Sequence, residues 1–245
     1  MRIFIGLDRR EEIATEVCEH SIRKINDDHV IRYIGLDELE VQAVYERTYH
    51  TDHGVKIDNL DGRPFSTEFA FSRFLVPYLC RYDGWALFCD ADFLFKADPT
   101  ELVQYQDPNK AIMVVKHSHV PGGTKKMDGQ VQSSYERKNW SSLIYWNCSH
   151  PENKRLGAYQ VNNMPGFWLH QFRWLRDNHI GELPESWNWL AGISPTTEQH
   201  TEEIKAIHLT EGIPAMAGYE NCEFSDEWWE MLEDMGHAKK DYWPS

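Results

Sequence analysis

Short apolar blocks alternate along this chain with stretches whose apolar residues recur every three or four positions. Arg2 to Leu7 reads as a first strand ending at Asp8. Residues 10–25 then place Ile13, Val17, Cys18, Ile22 and Ile25 at helical spacing, so the fold opens strand–helix. Val30 to Leu36 reads as a second strand, after which Asp37 caps a polar-faced helix running to about Arg47. Residues 49–64, rich in Asp, His and Gly, read as a loop. Ser66 or Thr67 opens the next helix, with Phe69, Phe74 and Leu75 facing inward until Pro77 bends or stops it. Trp85 to Phe95 follows, an apolar run interrupted only by Asp90-Ala91-Asp92. A run this short and unalternated predicts a strand buried on both faces.

Asp98-Pro99-Thr100-Glu101 carries the N-cap, first-turn proline and acidic third position of a helix start. Ala111 to His117 and Leu143 to Asn147 read as strands, Phe167 to Arg176 as an aromatic helix and Ile204 to Leu209 as a last short strand. A final helix spans about Asp226 to Leu232. The Gly-, Ser- and Lys-containing segment 118–140 is long enough to be an active-site lid. Alternation of strands and helices predicts an α/β fold with a mostly parallel sheet flanked by helices. No Gly/Ser- or Pro-rich linker divides the 245 residues, so one domain over 1–245 is expected.

Composition narrows the partners. A net charge of −14 argues against nucleic acid or anionic membranes held by bulk electrostatics. Five cysteines without a C-x-x-C pair, several inside apolar runs, read as buried free thiols in a reducing, cytoplasmic setting. Met1 to Asp8 is too short before its first charge to be a signal peptide, and no stretch is long enough to span a membrane. Asn139-Trp140-Ser141 and Asn147-Cys148-Ser149 match the glycosylation sequon, by chance if the chain is cytosolic.

The chemistry concentrates at Asp90 and Asp92. Residues i and i+2 of an extended chain point the same way, so both carboxylates are expected on one side of a strand end. Two carboxylates that close repel each other, and a divalent cation resolves the conflict. Hard oxygen ligands suit Mn²⁺ or Mg²⁺. His208 ends a short apolar strand before Gly212-Ile213-Pro214 and would complete a mixed N/O metal site. On its own, a histidine at a strand end is more often a hydrogen-bonded structural residue. Arg73 precedes the acidic strand; its planar fork suits phosphate or carboxylate, and an ion pair with Asp90 is the other reading. Asp8 ends the first strand, where it would accept bonds from a ribose or base, or cap a helix.

In order, these residues resemble the GT-A glycosyltransferases, in particular the retaining glycogenin and galactosyltransferase-like group (glycosyltransferase family 8-like). The resemblance rests on Phe71-Ser72-Arg73-Phe74-Leu75-Val76-Pro77, Leu87-Phe88-Cys89-Asp90-Ala91-Asp92, Asn139-Trp140-Ser141 and His208-Leu209-Thr210-Glu211-Gly212. It implies a Rossmann-like sheet with a smaller acceptor-side region, the nucleotide-sugar half over about 1–117 and the acceptor half over about 118–245. It also implies a metal held by Asp90, Asp92 and His208, and a donor bound through Asp8, Arg73, Asp90, Asn139 and Ser141. Asp90, Asp92, Arg73 and Gln171 are the expected catalytic set, the donor a UDP-sugar, and the acceptor a glycan, lipid or other hydroxyl. Trp140, Trp168, Trp187 and Trp189 are candidates for stacking on sugar rings or for packing.

Two departures stand out. The group's Lys-Pro-Trp does not follow Gly212, so its phosphate-binding lysine is absent there; Lys205 or the 123–126 segment are the available substitutes. Where the group has Asp-Gln, this chain has His170-Gln171. Leu183-Pro184-Glu185-Ser186-Trp187-Asn188 looks like the group's Leu-Pro-x-x-x-Asn structural stretch. Two rival readings are a haloacid-dehalogenase-like phosphatase with Asp90 as nucleophile, and a non-catalytic carbohydrate-binding module. The phosphatase pattern wants a Gly/Thr/Val turn where this chain has Phe93-Leu94-Phe95.

Overall fold

A computed structural model describes residues 1–117, 137, 139–195 and 203–243. The central element is a six-stranded sheet built from β1 (Arg2–Gly6), β2 (Val30–Ile34), β5 (Trp85–Cys89), β7 (Ile112–Val115), β8 (Leu143–Asn147) and β9 (Ile180–Leu183), in the order β2-β1-β5-β8-β7-β9. Pairings β1–β2, β1–β5 and β7–β9 are parallel, whereas β8 runs antiparallel to both β5 and β7. The sheet is therefore mostly parallel with one reversed strand. Its apolar runs are buried on both faces. Ile3, Ile5, Leu87 and Cys89 join one core cluster, and Phe4, Ala86, Phe88 and Ile144 the other. This explains why these strands lack apolar–polar alternation.

Helix α1 (Glu12–Ile25) packs through Ala14, Val17, Cys18, Ser21 and Ile22, a stripe at three- and four-residue spacing. Ile25, at the frayed end of that stripe, is exposed instead. Helix α2 is only Leu36–Val41 and follows Gly35, so Asp37 lies inside its first turn rather than capping it, and the helix stops well short of Arg47. The segment read as a loop is partly a hairpin. β3 (Tyr49–Asp52) pairs antiparallel with β4 (Val55–Asp58) across His53 and Gly54, both at positive φ. A histidine at the first turn position hid the signal that Asn-Gly would have given.

Arg73 sits in a 3₁₀ turn, Ser72–Leu75, and Pro77 lies in the first turn of α3 (Val76–Leu79) instead of ending a helix. The aromatic helix is short, Gly166–His170, because Phe172 adopts a left-handed φ of 52°. A smaller three-stranded sheet, in the order β10-β11-β6, joins β10 (Trp189–Leu190), β11 (Ala206–His208) and β6 (Phe93–Phe95). The last long helix, Ser225–Asp234, buries Trp228, Trp229 and Leu232. Among the described residues no helix is long and apolar enough to cross a membrane. Of the segment 118–140, read as a lid, residues 118–136 and 138 lie outside the described residues.

Candidate active site

The Asp pair does not lie along one strand. β5 ends at Cys89, Asp90 follows it, and Ala91 and Asp92 form a turn into β6, which belongs to the smaller sheet. The chain passes from one sheet to the other between the two carboxylates. Backbone bonds fix both: Asp90 N donates to Ser142 O at 2.9 Å, and Leu209 N donates to Asp92 O at 2.9 Å. β11 runs antiparallel to β6 with His208 opposite Phe93, which sets the imidazole beside the turn. One ligand atom each from Asp90, Asp92 and His208 lies within 4.8 Å of the others.

The proton on His208 follows from its neighbours. The ring is 3% exposed and stacks on Phe93 at 4.5 Å between centroids. Its Nδ1 lies 2.9 Å from Asn188 Oδ1. The Asn188 amide is oriented in turn, because its Nδ2 donates to Ser142 Oγ at 2.9 Å while that hydroxyl donates to Asn139 O at 2.8 Å. Asn188 Oδ1 can only accept, so Nδ1 is a donor and Nε2 is the nitrogen turned to Asp92 Oδ1, 3.4 Å away. An imidazole turning Nε2 to two carboxylates, with Nδ1–H held by an amide oxygen, is the arrangement of a metal-ligating histidine. The donor set of two carboxylates and one imidazole fits a Mn²⁺- or Mg²⁺-type ion.

Arg73 ties the pair to the sheet. Its Nη1 donates to Asp90 Oδ1 at 2.6 Å and to Ser141 O at 2.9 Å, and the guanidinium lies over the rings of Phe69 and Phe88. The side chain is nearly fully buried. The ion pair with Asp90 that the sequence offered as an alternative is present, and it is interior rather than exposed. Ser141 continues the network, with Oγ 2.9 Å from His170 Nδ1. His170 therefore connects through Ser141 to Arg73 and on to Asp90.

The other predicted residues are placed differently. Asp8 is fully buried at the end of β1 and caps a 3₁₀ turn, Arg9–Glu11. Its oxygens accept from Arg10 N, Nε and Nη2, and from Glu68 N. Burial pushes its carboxyl up, but the Arg10 side-chain and backbone bonds outweigh that and hold it below the usual carboxylate value. The capping role is the one this geometry displays. Asn139 contributes its backbone carbonyl to the Asn188–Ser142 network from a left-handed φ of 63°. Gln171 Oε1 accepts from Arg173 Nε at 2.9 Å and Nη2 at 2.6 Å, so its amide oxygen is turned to that guanidinium. Lys205 is drawn to Glu101 at the far end of β11 from His208. The 123–126 segment lies outside the described residues. Trp187 and Trp189 are core residues, and Trp168 packs on Trp174, so packing accounts for these three. Asn147 is buried, with its Nδ2 on Lys110 O, so its sequon is not presented to solvent.

Asn188 entered the sequence reading only as the end of the Leu-Pro-x-x-x-Asn stretch, and its hydrogen bond to His208, like the role of Ser142, was not foreseen.

No protein-family model matches the chain. Over 241 residues it is 43% identical to Protein CDI of Arabidopsis thaliana, covering 98% of this chain and 88% of that protein. The chain belongs to the Protein CDI family. Among solved structures, an active-site mutant of LgtC superposes with a TM-score of 0.57 at 13% identity, covering 99% of both chains. The bifunctional glycosyltransferase WbbM gives 0.61 at 16% identity over 95% of this chain, which spans about half (49%) of WbbM. The glycosyltransferase GlyE of Streptococcus pneumoniae TIGR4 gives 0.56 at 12% identity over 100% of this chain and 64% of its own. These likenesses establish a GT-A-type α/β fold, with its sheet flanked by helices.

Proposed function

We propose that this protein is a glycosyltransferase that moves a sugar from a nucleotide-sugar, most readily a UDP-sugar, to an acceptor hydroxyl with the aid of a divalent metal. One observation carries the reading: Asp90, Asp92 and His208 converge within 4.8 Å where β5 leaves the main sheet. The ends of parallel strands are where open α/β sheets bind ligands. A galactosyltransferase structure with the same fold, LgtC in complex with donor and acceptor sugar analogs, supports it at 13% identity. The fold also weighs against the phosphatase reading.

Asp90, Asp92 and His208 would hold the ion, a Lewis acid for the charge that builds on a departing diphosphate. Arg73 holds Asp90 in place and offsets its charge beside Asp92. Asn188 keeps His208 Nε2 directed at the site. In the transfer, the bond from the anomeric carbon to the diphosphate oxygen breaks and its electron pair leaves with the diphosphate. The acceptor oxygen bonds to that carbon, and its proton passes to the leaving group or to water. Same-face attack, with retention, follows the family 8-like pattern of motifs. Gln171 and Asn139 are assigned to orienting the sugar, and Ser141 to the donor site.

The test is calorimetry of UDP, GDP and CMP binding with and without Mn²⁺. UDP should bind only with the metal, and Asp92→Asn should abolish that dependence while the fold stays intact. Metal-independent UDP binding, or unaltered metal-dependent binding in Asp92→Asn, would overturn the proposal. Turnover of a UDP-sugar separates a transferase from a carbohydrate-binding module.

A further inference from the structure

A polar cavity lies at the other end of the sheet. In the parallel pair β1–β2, Arg2 stands opposite Val30 and Phe4 opposite Arg32, so these four residues share one face. The end of α3 flanks that face, and an open cavity of about 270 Å³ is lined by Arg2, Arg32 and Arg81 together with Phe4, Val30, Leu79 and Cys80. Arg2 begins the strand whose C-terminal end leads to Asp8. The cavity is therefore roughly a strand length, about 16 Å, from the carboxylate site.

Three features set this cluster apart. The chain has 39 acidic residues against 25 basic ones, yet among the described residues none of these three arginines forms an ion pair with a carboxylate. Arg2 is pre-positioned: its guanidinium donates to the backbone carbonyl of Asp83 and lies against Gly84, where an added Cβ would come within 2.8 Å of it. Arg81 occupies the residue just past a helix end, with Arg81 N on Tyr78 O and Tyr82 N on Pro77 O, both at 2.8 Å. That closure favours glycine at the first left-handed position, and here an arginine takes it at φ 54°. A long cation thus stands in the cavity lining at a position where its backbone is disfavoured.

We propose that this cavity binds a phosphate-bearing small anion, with Arg2, Arg32 and Arg81 on the phosphate and Phe4, Val30 and Leu79 under its organic part. Guanidinium forks match the several oxygens of a phosphate better than they match one carboxylate, and three cations without a carboxylate ion pair suit a dianion. The site does not depend on the glycosyltransferase reading.

Calorimetry of the full chain in EDTA, with inorganic phosphate, phenyl phosphate and benzoate in separate titrations, tests this. Phenyl phosphate and phosphate should bind and benzoate should not. The double variant Arg32→Gln, Arg81→Gln should weaken binding by about tenfold or more, since each lost charge-assisted contact is worth a factor of several. Both positions are exposed, so the variant should melt close to the parent. Asp92→Asn should bind as the parent does, which separates this site from the carboxylate cluster. No binding of either phosphate, equal binding of benzoate, or unchanged affinity in the double variant would overturn the assignment.

Discussion

Replacing Asn188 tests whether His208 is organised as a metal ligand or merely packed as a core residue. The Asn188 side chain is fully buried and makes two short bonds, to His208 Nδ1 and Ser142 Oγ, each at 2.9 Å. Asn188→Ala removes both and leaves the imidazole N–H without its acceptor. Two hydrogen bonds at about 1 kcal/mol each, with the desolvation penalty of the groups left behind, amount to about 2–4 kcal/mol of stability. The same change frees the ring to rotate or shift tautomer. Loss of such an outer partner typically weakens metal binding about 10–100-fold, or about 1.4–2.7 kcal/mol. Asn188→Asp keeps an acceptor for Nδ1–H and should bind Mn²⁺ within a few-fold of the parent. The assay is Mn²⁺ calorimetry at a temperature where denaturant curves show every variant folded. Unchanged Mn²⁺ affinity in Asn188→Ala, or an equal loss in Asn188→Asp, would refute the argument.

Arg73→Lys keeps the charge but cannot reach Asp90 Oδ1 and Ser141 O with one planar group. The pair is largely buried, so a stability loss of about 1–3 kcal/mol in urea should accompany a severe loss of UDP-sugar turnover; full turnover would exclude a functional role. Gly6→Ala would place a Cβ 2.4 Å from the buried ring of Phe69, over which Arg73 lies. Overpacking of about 1–3 kcal/mol should lower the melting temperature by several degrees and reduce metal-dependent nucleotide binding, both read in one thermal-shift series. For Asp8, the folded carboxyl titrates below its unfolded value of about 3.9, so the folded state binds fewer protons. Its contribution is complete above that value and lost as pH falls through the folded one. Asp8→Asn should therefore be less stable than the parent at pH 7, the gap closing below about pH 4 in denaturant titrations. A gap independent of pH would contradict this.

Local pattern alone carried much of the architecture. The two-sided burial of β1, β5 and β8 is visible as unbroken apolar runs, because a strand covered on both faces has no polar side to alternate with. The α1 stripe and the Asp98 cap are likewise local events, written at fixed spacing. So is the clustering of Asp90 with Asp92, since two carboxylates one residue apart meet in either a strand or a turn. What the sequence could not decide is everything that depends on where separate segments land. The Asp pair straddles two sheets because β6 pairs with β11 rather than extending β5, and no local signal distinguishes those outcomes. The tautomer of His208 depends on Asn188, twenty residues away, and Asn188 is oriented by Ser142 and Asn139 from a third segment. Arg73 is a buried partner rather than a surface one because Phe69, Phe88 and the Ser141 carbonyl close around it. Hydrogen-bond direction and desolvation are properties of assembled neighbours, so the tertiary structure alone turned a list of polar residues into an ordered site.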